Sequence, residues 1–180
     1  MLLEEFENTS AVIEPTDTSI RGGGETCNTL ILSFNGEIIK RVAELENVYE
    51  GGALHNLNGR LPWYIYEESG VRVGVMLASI GASMIVGNLE ELKAKGFQNF
   101  IVFGTCGVLD RSIAVDKIIL PSSALRDEGT SYHYAPASDE ISYHSELLLT
   151  MEEALDQAGI EHVQTKTWTT DAFYRETAAK

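Results

Sequence analysis

Gly104-Thr105-Cys106-Gly107 ends an apolar run and sets a hydroxyl and a thiol between two glycines. Glycine lets a ligand approach the backbone closely, and amides beside a threonine hydroxyl can hold an anion or a sugar oxygen. The same string also fits a tight turn around an inert cysteine. A nucleophilic Cys106 served by His133 would need surroundings that stabilise a thiolate. Ser79-Ile80-Gly81-Ala82-Ser83 joins a strand pattern to a helix pattern, and the first amides of that helix could face an anion or merely connect the two elements. Gly22-Gly23-Gly24 precedes a strand and no Lys-Ser/Thr follows it, so it reads as a flexible loop and not as a P-loop. The polar and aromatic segment Arg126-Asp127-Glu128-Gly129-Thr130-Ser131-Tyr132-His133-Tyr134 could contact a polar ring or a sugar. Its plainer reading is a self-paired surface loop with Arg126 bridged to a neighbouring acid. The four histidines lack His-x-x-x-His spacing and neither Cys27 nor Cys106 belongs to a Cys-x-x-Cys pair, which argues against a zinc site.

These residues need elements to hold them. Residues 29–34 form a short apolar run of the kind a strand buried on both faces shows. Asn35-Gly36 breaks it, and Ile38, Ile39, Val42, Ala43 and Leu45 recur at helical spacing. Residues 63–66 and 71–78 predict two strands joined by a turn at Glu68-Ser69-Gly70. From Gly81 a helix carries Met84, Ile85, Leu89 and Leu92 on one face and stops at Gly96. Residues 99–103 predict a further buried strand leading into Gly104, and residues 117–120 one that Pro121 stops. A helix over 144–158, with Leu147, Leu148, Met151, Ala154 and Leu155 on one face, precedes a strand over 162–169. Asp171 is placed to cap a final helix. Strands interleaved with helices indicate an α/β fold with a largely parallel sheet, whose ligands sit outside the carboxyl ends of the strands. Residues 1–28 read as an N-terminal arm or edge segment and residues 29–180 as one domain.

With 13 Lys+Arg against 27 Asp+Glu and a formal charge of -14, the chain would repel nucleic acid and anionic membrane surfaces. Two cysteines suit a reducing compartment, and the start Met1-Leu2-Leu3-Glu4-Glu5 lacks the pattern of a signal peptide, so a cytoplasmic location is expected.

Taken in order, Gly81-Ala82, Glu90-Glu91-Leu92 with Gly96, Phe103-Gly104-Thr105-Cys106-Gly107-Val108-Leu109, residues 126–134 and Thr167-Trp168-Thr169-Thr170-Asp171-Ala172-Phe173-Tyr174-Arg175-Glu176-Thr177 resemble the nucleoside phosphorylase family. This superfamily includes uridine phosphorylases, hexameric purine nucleoside phosphorylases and methylthioadenosine nucleosidases. The resemblance implies a three-layer α/β/α fold around a mixed, largely parallel central sheet. It also implies phosphorolytic cleavage of the N-glycosidic bond of a nucleoside, with inorganic phosphate as co-substrate and no further cofactor or metal. Thr105 falls where the family binds phosphate, and Cys106 and Gly107 where it lines the base pocket. Ile80 and Gly81 lie in the turn that borders the ribose, and Phe173 matches an aromatic residue that packs on the base. A homo-oligomer (dimer, trimer or hexamer) is implied, with Arg60 in place of the phosphate arginine that a neighbouring subunit contributes.

The chain also departs from the family pattern. Ile38 and Val102 stand where phosphorylases carry phosphate-binding arginines, and Thr177 and Ala179 where uridine phosphorylase reads uracil, so a purine nucleoside is the expected substrate. The family's ribose-binding Met-Glu segment and the acid that assists base departure have no counterpart up to Lys180, which points to a C-terminally shortened chain and leaves the catalytic residues unassigned. A hydrolytic nucleosidase or a non-catalytic nucleoside-binding domain is the alternative.

Overall fold

The structure, a computed structural model, describes residues 5–18, 23–57, 59–110, 112–113 and 117–178. Gly22 of the triglycine loop lies outside the described residues, as do Ala179 and Lys180. Contacts group the chain into two units, Thr9–Cys106 and Gly107–Lys180, the second including Met1–Asn8.

In the first unit the unbroken apolar run becomes β1 (Thr29–Ser33) and occupies an interior position, paired in parallel with β4 (Val71–Leu77) on one side and β5 (Asn99–Phe103) on the other. An antiparallel meander of β2 (Val48–Asn56) and β3 (Gly59–Glu68) extends the sheet to the order β2-β3-β4-β1-β5. The β3–β4 turn is made by Ser69 (φ 52°) and Gly70 (φ 80°), two left-handed residues whose twist suits a tight hairpin.

β2 has no alternating pattern to announce it, because its residues are chosen for room. A Cβ on Gly51 would lie 2.5 Å from Nε1 of Trp63, and one on Gly24 would lie 2.6 Å from the same indole's Cζ2. The indole is fully buried under these backbones and donates to the carbonyl of Glu25 at 2.8 Å. Trp63 packs edge-to-face on Phe97 at 5.8 Å, within a core that includes Leu30, Leu32, Ile65, Met76 and Leu92. Each such side chain taken from water contributes about 1.5–3 kcal/mol. Two longer helices flank these strands in sequence. α1 (Pro15–Thr18) is a single turn; α2 (Gly36–Ala43) starts where the Asn35 side chain accepts from Glu37 N, and α3 (Ala82–Lys95) ends at Gly96 (φ 122°). Leu92 of α3 is fully buried, with Ile85 and Leu89 packed beside it as the helical spacing predicts.

β5 corrects an expectation. Its Ile101, Val102 and Phe103 are 46–49% exposed, because β5 pairs only with β1 among the described residues and forms an edge.

The second unit centres on β6 (Ile118–Asp127), antiparallel to β7 (Glu140–Ser142) and parallel to β8 (His162–Thr170). Pro121 does not stop this strand. The ladder shifts register between Pro121 and Ser123, and a bulge accommodates a residue that has no N–H to give. α4 (Ser145–Gln157) lies where its spacing predicts, yet it has no buried residue and Leu147 is 55% exposed. Asp171 begins no long helix. A three-residue 3-10 turn, Phe173–Arg175, follows it, and the Asp171 carboxylate instead accepts from Gly129 N at 3.0 Å. No helix among the described residues is long and apolar enough to cross a membrane.

Candidate functional site

The register of the three parallel strands brings their carboxyl ends level: Ser33 of β1 faces Leu77 of β4 and Phe103 of β5. Backbone bonds continue the alignment past the ends, with Ala78 N donating to Ser33 O at 2.9 Å and Phe34 N to Phe103 O at 3.2 Å. The turns after β4 and β5 therefore emerge at one edge, on either side of Phe34-Asn35. Buried Ser33 accepts from Asn35 N at 3.2 Å, and buried Asn88 of α3 donates to Ser79 Oγ at 2.8 Å, so side chains hold the turns after β1 and β4. Gly81, at φ 101°, adopts a conformation that L side chains rarely reach and opens α3 without a side-chain cap, leaving that helix end uncapped.

Gly104 has a different reason to be glycine. A Cβ there would stand 2.7 Å from Cδ2 of Phe34. The turn beyond it exposes Thr105 and Cys106, and Ile80 across the edge is 82% exposed. Four of the residues picked from sequence (Ile80, Gly81, Thr105 and Cys106) thus share one edge of one sheet. The edge offers a hydroxyl, a thiol and uncapped amides with an apolar side chain beside them, which are groups able to hold an anion and the face of a sugar.

Burial pushes the other thiol, Cys27, above its ordinary pKa and keeps it protonated, while its Sγ donates to Thr29 O at 3.2 Å. Arg60 stands on β3 beside β2, and its guanidinium donates to both carboxylate oxygens of Glu50. This fork holds the Glu50 carboxyl below its usual pKa. Ile38 of α2 and Val102 of β5 add no charge.

Gly107 and Phe173 belong to the second unit. Phe173 is 62% exposed and tilted against Tyr174 at 4.6 Å. The turn ahead of it is tied to β6 twice, by Asp171 N donating to Asp127 O at 3.2 Å and by the bond from Gly129 N to Asp171. Trp168 Nε1 adds a bond to Asp127 Oδ2 at 3.2 Å. Asp127 and Trp168 were within strings already singled out, but their partnership depends on the parallel pairing of β6 with β8, which no local pattern announces.

Arg126 also departs from its expected place. It is not a surface residue bridged to an acid: it is 6% exposed, and its guanidinium donates to Ser131 Oγ, Ser138 Oγ and the carbonyls of Ala135 and Pro136 at 2.7–3.3 Å. Tyr132 covers it at 4.2 Å. A fork of five donors suits a cluster of carbonyls and hydroxyls, so the charge organises the loop after β6. No group of His, Cys, Asp and Glu able to hold a metal is found among the described residues.

Parallel strands with glycine turns at their carboxyl edge are a common setting for ligand sites in α/β proteins. The chain belongs to the Phosphorylase superfamily, which it matches over residues 29–180. It is 31% identical over 151 residues to uridine phosphorylase of Thermococcus kodakarensis, covering 84% of this chain and 53% of that protein. It is 26% identical over 160 residues to a DeoD-type purine nucleoside phosphorylase of Geobacillus, covering 85% and 65%. The crystal structure of uridine phosphorylase from Vibrio fischeri shares the fold with a TM-score of 0.68, at 20% identity, over 84% of this chain and 62% of that one. The chain thus spans about half the length of the Thermococcus protein.

Proposed function

We propose that the protein cleaves the N-glycosidic bond of a purine nucleoside by phosphorolysis. A phosphate oxygen attacks the anomeric carbon, the bond to the base breaks with its electron pair going to the base nitrogen, and that nitrogen takes up the proton that hydrogen phosphate gives up, so the products are ribose 1-phosphate and the neutral free base. The transition state resembles an oxocarbenium ion beside an anion, so the protein must hold phosphate and ribose in line and accept the charge that develops. In this reading the Thr105 hydroxyl holds phosphate, the Ile80-Gly81 turn borders the ribose and Cys106 lines the base site. The observation that carries it is the shared carboxyl edge, where the exposed Thr105 turn stands opposite the Ile80-Gly81 turn. Copies of the chain are proposed to associate, because the half-exposed Ile101, Val102 and Phe103 leave an apolar strand edge uncovered.

A second reading, hydrolysis by water, draws support from charge. Ile38 and Val102 cannot neutralise a phosphate dianion, and Arg60 is engaged with Glu50. Incubating the protein with several nucleosides, with and without phosphate, separates the two. Base release that requires phosphate supports phosphorolysis, and equal release without it supports hydrolysis.

A further inference from the structure

The turn that carries Thr105 springs from an edge strand, since β5 pairs only with β1 among the described residues. Glycines at 104 and 107 give its backbone many conformations to lose. The residue beside it at the end of β1 has no such freedom. Phe34 follows an interior strand whose Leu30 and Leu32 are fully buried, and its N donates to Phe103 O at 3.2 Å. Before it, buried Ser33 accepts from Asn35 N at 3.2 Å; after it, Asn35 Oδ1 accepts from Glu37 N at 2.9 Å and caps α2.

From this fixed base the Phe34 side chain reaches the turn. Around the place that a Cβ on Gly104 would take stand Cδ2 of Phe34 at 2.7 Å and its Cγ and Cε2 at 3.6 Å. One edge of the phenyl therefore lies against the Gly104 backbone, a single residue ahead of the Thr105 hydroxyl. Phe34 is 42% exposed and is no part of the buried core, so its ring serves the turn more than the interior. A binding group displaced by about 1 Å can lose most of its effect, which gives such a wall functional weight. We propose that Phe34 is a positioning residue: its ring, anchored by β1 and α2, holds the Gly104 peptide and thereby sets where the Thr105 hydroxyl stands. The inference rests on the phosphorolysis reading for what that hydroxyl holds.

Two measurements test it, one of them without turnover. In nitrogen-15 relaxation the Thr105 and Cys106 amides should show order parameters of about 0.85 in the unaltered protein and below about 0.6 in Phe34→Ala. Phe34→Tyr, which keeps the ring edge, should restore the first value, and Phe34→Val, which lacks it, repeats the test in a second variant. In phosphorolysis Phe34→Ala should raise the KM for phosphate about fivefold and leave the KM for nucleoside within twofold. A variant that was merely less stable would lose kcat and keep both KM values. Because Phe34 acts through Thr105, adding Phe34→Ala to Thr105→Ala should change the phosphate KM by less than twofold. Unchanged order parameters in Phe34→Ala, or a fivefold effect that persists on top of Thr105→Ala, overturns the proposal. No phosphate-dependent base release from any variant, with the relaxation results as expected, would remove phosphorolysis and leave the positioning role standing.

Discussion

Replacing Arg126 by methionine keeps most of the side-chain volume and removes every donor. Four hydrogen bonds of 2.7–3.3 Å and the stacked Tyr132 ring at 4.2 Å are lost. Hydrogen bonds from a charged donor contribute about 1.5–3 kcal/mol each, against which stands a penalty of several kcal/mol for keeping a guanidinium out of water. The net loss should be about 3 kcal/mol, taken from the loop that the guanidinium holds together. Tyr134 N and Ala135 N, which donate to Ser131 O at 3.1 and 3.0 Å, report on that loop. Hydrogen exchange at these two amides should quicken by a factor on the order of a hundred. Lysine at the same position keeps the charge without the planar fork and should recover less than half of the protection. Exchange that quickens less than fivefold in the methionine variant, or full recovery by lysine, would refute the reasoning.

The remaining predictions concern other parts of the chain. Gly51→Ala drives a Cβ to 2.5 Å from Trp63 Nε1 and should lower unfolding stability by about 1–3 kcal/mol, whereas Gly36→Ala meets nothing within 4 Å and should change it by less than about 0.5 kcal/mol, both read by urea denaturation. Thr105→Ala, at an exposed position, should raise the KM for phosphate about tenfold with an unchanged unfolding midpoint. Cys106 is exposed and Cys27 is held protonated by burial, so at pH 8 a maleimide should label Cys106 at least about tenfold faster, measured by mass spectrometry of the two peptides. The Glu140 carboxyl is lowered first by the Lys166 hydrogen bond. Its stabilisation is therefore present above the unfolded carboxylate pKa and fades as pH falls through the folded value; Lys166→Ala should move the Glu140 titration midpoint, followed by NMR, back up.

Legibility in the sequence followed the locality of the physics. β1, α2 and α3 were readable because apolar spacing and the stop at Gly96 are local signals. The turn at Ser69-Gly70 was readable for the same reason. β2 was not, since Gly51 and Gly52 answer to Trp63, a residue on another strand. Pro121 looked like an end because its missing N–H is local knowledge, while the bulge that accommodates it depends on β8. At the candidate site, Ile80, Gly81, Thr105 and Cys106 could be picked out because they follow strands, and parallel register then placed them on one edge. Arg126 was misjudged because a cage of carbonyls cannot be seen from composition. The resemblance to the phosphorylases was legible because it rests on several short strings in order, each spanning one turn.

The sugar product is the most direct arbiter of the proposed chemistry. Incubation of the 180-residue chain with guanosine and inorganic phosphate, followed by phosphorus NMR, should show ribose 1-phosphate accumulating mole for mole with free guanine. Free ribose in its place, with the phosphate signal unchanged, would contradict the account.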